Sequence, residues 1–208
     1  MKTPIPIYLA VEDDLSEIML RRILRARPVE YVVSAVFKHG GFGYLKKQTQ
    51  AFNNMAKACP VLMLTDLDQL RCAPELIEDW LKQPKHPDFL LRVAVREVEA
   101  WLLACDEPLG KYLRTRQPFF FHDPEALGDP KLELLKLAER SSRRDIREAI
   151  ARRDTGGNLR QGPAYNSVLS AFVDQIWKPK PAATKCPSLK RVIKALGNLE
   201  AGWKDRHS

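Results

Sequence analysis

The sequence contains no run of eighteen apolar residues, so it offers no membrane-spanning helix of ordinary length. Its opening stretch, MKTPIPIYLAVEDD, turns acidic before the apolar core of a secretory leader could be completed, and the reading is of a cytoplasmic chain. Cysteine is sparse, and Cys59, Cys72, Cys105 and Cys186 lack the paired spacing of a zinc site, so they read as reduced, packed thiols. Histidine is equally sparse: His39, His86 and His122 fall in expected loops and His207 in the terminal tail, which leaves no partner set for a histidine-activated nucleophile. No Walker phosphate loop, no GxGxxG after a strand, no HExxH and no GxSxG is present, nor any internal repeat or low-complexity segment. Any chemistry must therefore be carried by carboxylates.

What is present is enough apolar sequence for a real core: 208 residues, 45% hydrophobic and 29% charged, allow one ordinary domain with an appendage or two small ones. The net charge of +8 is unevenly spread, at +4 over residues 1–58, −5 over 59–110 and +9 over 111–208. An acidic middle between basic flanks suits a metal-dependent site acting on a polyanion, since the flanks attract phosphates and the carboxylates need a cation to tolerate them. A mildly basic balance also serves solubility alone.

The acidic middle is organised around VLMLTDLDQL, residues 61–70, in which a short apolar run ends on Asp66 and Asp68. Five residues after Pro60 are too few for a helix and read as a strand buried on both faces. Two carboxylates at the carboxyl end of such a strand can bind a hard cation, or one of them can simply cap the next helix. Three more strands are expected: 4–11 ending at Glu12, 31–38 ending in the glycine-bearing loop HGGFG, and 89–96 ending at Arg96, Glu97 and Glu99. A helix opening with an Asp14/Glu17 capping box, a second over 43–58 and a third over 73–83 separate them, which implies a parallel sheet with right-handed crossovers. The turns bearing Glu12, Asp66/Asp68 and Glu97/Glu99 would then open on one edge of the sheet. Residues 1–112 form the expected α/β domain, 113–130 a proline-rich connection, and 131–208 a basic helical extension packed on it. Within that extension helical sequence runs over 131–153 with an interruption near Ser141 and Ser142, the break TGGNLRQGP follows, and two amphipathic helices start near 164 and 187.

A glutamate after the first strand, a glycine-bearing loop after the second, Asp-x-Asp after the third and a four-stranded α/β sheet resemble the Toprim domain of topoisomerases, bacterial primases and overcoming-lysogenization-defect nucleases. The resemblance covers roughly residues 4–110. It implies a metal-dependent nuclease using Mg²⁺ or Mn²⁺, with Glu12 as metal ligand or general acid/base and Asp66 and Asp68 as metal ligands. Glu97 or Glu99, and Glu17, would correspond to second-metal ligands. The family usually has glycine directly after the glutamate, where this chain has Asp13. With neither a cysteine-rich zinc module nor room for strand-passage domains, the resemblance narrows to small stand-alone Toprim-like nucleases, some of which belong to anti-phage systems. It implies nucleic acid, DNA or RNA, as the partner; in this chain Lys38, Arg96, Arg143, Arg144 and Arg147 are the candidate basic contacts. A partner protein encoded in the same operon and self-association stay open.

VEDD after the first strand also resembles a response-regulator receiver, with Asp13 and Asp14 as the metal-binding pair and Asp66 as phosphoacceptor. Against it, the fourth strand ends in Val95, Arg96 and Glu97 rather than a hydroxyl residue, and the region near residue 118 has Gln-Pro in place of Lys-Pro. A Toprim-like module that binds nucleic acid or a partner without catalysis is the third reading.

Overall fold

The computed structural model describes residues 4–207, with the side chain of His207 excepted. It divides the chain into two compact units, residues 1–95 with 188–208, and residues 96–187.

In the first unit, β1 (Ile5–Ala10), α1 (Asp14–Arg25), β2 (Tyr31–Phe37), α2 (Gly41–Met55), β3 (Val61–Asp66), α3 (Ala73–Trp80) and β4 (Phe89–Ala94) alternate along the chain. The strands form one parallel sheet in the order β2-β1-β3-β4, so the α/β class and the four strands expected from the sequence are found. The central strand β3 reads as the sequence pattern requires: Val61 to Thr65 are buried without alternation, as in a strand covered on both faces. Ala10, Val61, Met63, Phe89 and Leu91 pack with Leu45 and Phe52 of α2 and Leu76 and Trp80 of α3 in one apolar cluster. Burying side chains of this size stabilises by roughly 1.5–3 kcal/mol each.

The helix after β1 starts one residue earlier than the capping-box expectation. Asp13, not Asp14, is the N-cap, and its carboxylate accepts a hydrogen bond from Ser16 N at 2.8 Å. Glu17 is thereby released from capping and pairs with Arg21 and Lys38, each at 2.8 Å. α1 then buries Leu15, Met19, Leu20, Ile23 and Leu24, a helical stripe.

The second unit holds α4 (Glu99–Leu103), α5 (Asp106–Leu113), a 3-10 turn (Pro124–Ala126), α6 (Pro130–Glu139), α7 (Arg144–Ile150), the strands β5 (Ala151–Arg153) and β6 (Leu159–Gln161), α8 (Tyr165–Gln175) and α9 (Pro179–Ala182). Trp101 and Trp177 are fully buried in it, and Trp177 Nε1 donates to the carbonyl of Trp101 at 3.1 Å. The expected helix over 131–153 is corrected at its end, since residues 151–153 pair antiparallel with 159–161. The TGGN break is the hairpin's turn. Asp154 Oδ1 accepts from Gly156 N at 3.0 Å and Asn158 N at 2.9 Å, and Gly157 takes a φ of 80° that favours glycine.

The contacts therefore divide the chain at Val95/Arg96, where the sequence carries no proline, glycine or compositional break, rather than at the proline-rich stretch 113–130. The last helix, α10 (Pro187–His207), belongs from Ser188 onward to the first unit. Glu200 anchors it there by accepting two hydrogen bonds from Arg27, at 2.7 and 2.9 Å, and one from Tyr31 Oη at 3.1 Å. No helix of the described residues is long and apolar enough to cross a membrane.

Candidate carboxylate site

β1 and β3 are neighbours, with Ala10 opposite Met63. Continuing that register two residues past the end of β1 brings Glu12 opposite Thr65. Its carboxylate is held there from two sides: Thr65 Oγ1 donates to Oε1, and so does the backbone N–H of Asp66 at 3.0 Å. Glu12 thus closes over the end of the strand that carries Asp66, and the sequence-based pairing of Glu12 with the Asp-x-Asp stretch is a contact in the folded chain. Thr65, which the sequence reading treated only as a strand residue, is what fixes the glutamate. A hydroxyl at the last buried position of the strand, three residues before the second aspartate, was the available signal.

The electrostatics are those of crowded carboxylates. Burial raises the Glu12 pKa above its ordinary 4.5, the hydrogen bonds from Thr65 and Asp66 pull it down, and the neighbouring charges of Asp68 and Asp13 push it up again. Asp68 is exposed and adopts a φ of 49°, in the left-handed region that a non-glycine residue rarely occupies. Holding aspartate there costs on the order of 1 kcal/mol or more, and such positions cluster at functional sites. The tight turn has a visible cause: Leu67 N donates to the carbonyl of Ala94 at 2.9 Å, and Leu70 N to that of Leu67 at 3.0 Å, so the chain bends while still bonded to β4.

The donors are all hard oxygens, which fits Mg²⁺ or Mn²⁺ in kind. Among the described residues, however, no group of three or more His, Cys, Asp or Glu side chains is gathered as a ready metal cage. The arrangement is a glutamate fixed by Thr65 and by the backbone of Asp66, with the charge of Asp68 near it, at the carboxyl edge of a parallel sheet where α/β proteins bind ligands.

The other expected site residues are placed as follows. Lys38 pairs with Asp14 and with Glu17 on α1. Of the acidic pair a receiver would use, Asp14 is thus paired with Lys38 and Asp13 caps α1. Glu97 and Glu99 fall in the second unit. Glu97 Oε2 accepts from Lys131 N at 2.9 Å, at the start of α6, and its other oxygen lies 3.4 Å from Lys131 Nζ. Glu99, 2% exposed, accepts from Tyr165 Oη at 2.7 Å and lies 3.7 Å from the same ammonium. Burial lifts its pKa from 4.5 to about 7 against the pull of Lys131. Both carboxylates thus already face a cation within their own unit, and Glu97 lines a cleft of about 910 Å³ together with Arg152 and Arg160. Arg96 follows β4 with a φ of 60°. Arg143 and Arg144 pair with Asp145 and Glu148 on their own helix, and Arg147 donates to the carbonyl of Ser141 at 2.7 Å.

Fold and site together define a parallel α/β protein with a glutamate from the turn after β1 held against the end of β3. The chain belongs to the family described as a domain of unknown function, DUF4276, whose model matches residues 12–197. Among solved structures it is similar to the C-terminal region of the Burkholderia pseudomallei OLD protein, at 14% identity and a TM-score of 0.49 over 95% of this chain and 99% of that one. No curated protein matches it.

Proposed function

We propose that this protein is a metal-dependent phosphodiesterase acting on nucleic acid, with Glu12, Asp66 and Asp68 as its working carboxylates. The observation that supports the reading best is the seat of Glu12. A glutamate from the turn after β1 is bonded to Thr65 and to the backbone of Asp66, so groups 54 residues apart share one sheet edge. The motif resemblance to Toprim domains assigns metal ligation to these same positions. A bound Mg²⁺ or Mn²⁺ would supply polarisation of a phosphate oxygen and a more acidic water. The chain's own part is to hold that ion through the two aspartates and to keep Glu12, whose pKa is raised by burial, in place to accept or return a proton.

The test is cleavage of plasmid DNA, single-stranded oligonucleotides and RNA by the purified chain with Mg²⁺ or Mn²⁺. Wild type should cut at least one substrate, and Glu12→Gln, Asp66→Asn and Asp68→Asn should each lower the rate by about 100-fold or more while leaving the thermal midpoint within a few degrees of wild type. No cleavage of any substrate, or cleavage that survives all three substitutions, sinks the reading. A manganese-soaked crystal gives the independent check, because anomalous density must fall beside Asp66 and Asp68.

A further inference from the structure

The second unit carries a surface feature that the carboxylate site does not use. Between α5 and the 3-10 turn the chain reads Pro118-Phe119-Phe120-Phe121-His122, and Phe120 is 68% exposed, the most exposed large apolar side chain among the described residues. A ring left in water at that level is unusual enough to ask what holds it there. Phe119 and Phe121 are half-buried with ring centroids 5.7 Å apart. Asp106 accepts a hydrogen bond from Phe121 N at 3.2 Å and also pairs with Lys185, whose Nζ sits 4.0 Å from the centroid of the Phe120 ring. The close seat of Phe119 depends on a missing side chain: a Cβ at Gly110 would lie 3.3 Å from its ring. The ring is therefore presented by a braced loop.

Beside it lies a cleft of about 670 Å³ lined by Phe119, Phe120, Arg114 and Arg116. Arg116 also borders the next cleft, of about 340 Å³, together with Arg140 and Arg147. Arg114 and Arg116 are exposed, and neither makes a salt bridge among the described residues, in contrast to Arg143 and Arg144, which are neutralised by carboxylates of their own helix. The strand-like segment that bears them is fixed as well. Arg114 has a φ of 55°, its carbonyl accepts from Ser142 N at 2.8 Å, and Thr115 bridges to Ser141. A braced aromatic ring with guanidinium groups alongside matches a chain of phosphates bearing unpaired π-faces, which is the chemistry of single-stranded nucleic acid. A duplex hides those faces, and an apolar protein partner would leave the arginines without counter-charges.

We infer that Phe120, with Arg114 and Arg116 beside it, forms a binding site for single-stranded nucleic acid on the second unit, the ring stacking on a base and the guanidiniums contacting flanking phosphates. The inference rests on the nucleic-acid reading above and narrows it to unpaired strands.

The experiment is fluorescence anisotropy of a labelled 15-nucleotide oligo-dT with the full-length chain in EDTA, so that binding is read without hydrolysis. Phe120→Ala and Phe120→Leu should weaken binding about 5- to 100-fold, and Phe120→Trp should retain it, as expected for the loss and retention of one stacked base. Arg114→Ala and Arg116→Ala should each lower the slope of log affinity against log salt by about 0.7, whereas Arg144→Ala should leave it unchanged. Circular dichroism of each variant separates a lost contact from a lost fold, and Phe120→Trp binding at wild-type strength keeps the stacking role testable if the alanine variant unfolds. Binding of oligo-dT by Phe120→Leu as tightly as by wild type overturns the inference, as does a preference for the matching duplex. Because no metal is present, a chain that binds the strand but never cuts it removes the hydrolytic reading alone, and a chain that cuts while Phe120 is silent removes this one alone.

Discussion

Two glutamates set the chemistry at the scale of single residues, and burial treats them alike. Glu12 is partly and Glu99 almost wholly removed from water, which disfavours their charged forms and raises both pKa values. For Glu99 the consequence can be measured. A folded-state pKa of about 7, above the ordinary 4.5, means that its ionisation opposes folding, so its favourable contribution is complete below pH 4.5 and is lost as pH rises through about 7. Urea denaturation midpoints should fall between pH 5 and pH 8 in wild type, and Glu99→Gln, which still accepts from Tyr165, should flatten that decline. An unchanged slope would show that Glu99 is ionised throughout. At Glu12 burial acts on a carboxylate that Thr65 holds in place. Thr65→Val removes the donor without much change in shape, and should cost about 1 kcal/mol in stability and lower any cleavage rate more than it weakens substrate binding.

At the scale of elements, caps and turns decide where the strands and helices stop. Asp13 caps α1, and Asp13→Ala should lower stability by about 1 kcal/mol, measured by chemical denaturation. The sharper case is Gly162, just after β6. A Cβ there would lie 2.5 Å from the carbonyl oxygen of Ala149, a backbone atom of α7 that cannot swing aside. Gly162→Ala should therefore cost roughly 1–3 kcal/mol and broaden or split the unfolding transition, because the hairpin would have to move away from the helix. An alanine variant as stable as wild type would mean that the hairpin is looser than its hydrogen bond from Gly162 N to the Ile150 carbonyl, at 2.8 Å, suggests.

Considering the whole molecule, the first unit is not continuous in sequence: it needs the terminal helix α10 to be complete. Glu200, nearly buried, is the acceptor for Arg27 and Tyr31, and cutting it back leaves a guanidinium and a phenol without their partner. Glu200→Ala should destabilise by roughly 3 kcal/mol, in the range found when one member of a buried pair is removed, with Glu200→Gln milder. Ending the chain at Pro187 should lower the stability of the first unit far more than that, read as loss of cooperative thermal unfolding.

Sequence alone determined the elements whose signals are local. The apolar run Val61 to Leu64 ending in β-favouring Thr65, the alternation of strands with amphipathic helices and the aspartates at the end of β3 gave the α/β class, the four strands and the Glu12 and Asp-x-Asp positions, because burial on both faces and helical spacing are written in consecutive residues. Only the tertiary structure decided what depends on residues far apart. The partition at Val95, the return of α10 to the first unit and the seat of Glu12 on Thr65 come from contacts with no sequence period of their own. The cap at Asp13 turned on one hydrogen bond to Ser16, and the hairpin in place of a helix end on strand pairing with residues 159–161 and the Asp154 turn. Charge followed the same division: the sequence counts every arginine, but folding pairs Arg143 and Arg144 with their own carboxylates and leaves Arg114 and Arg116 without one, since neutralisation depends on which groups lie within a few ångströms.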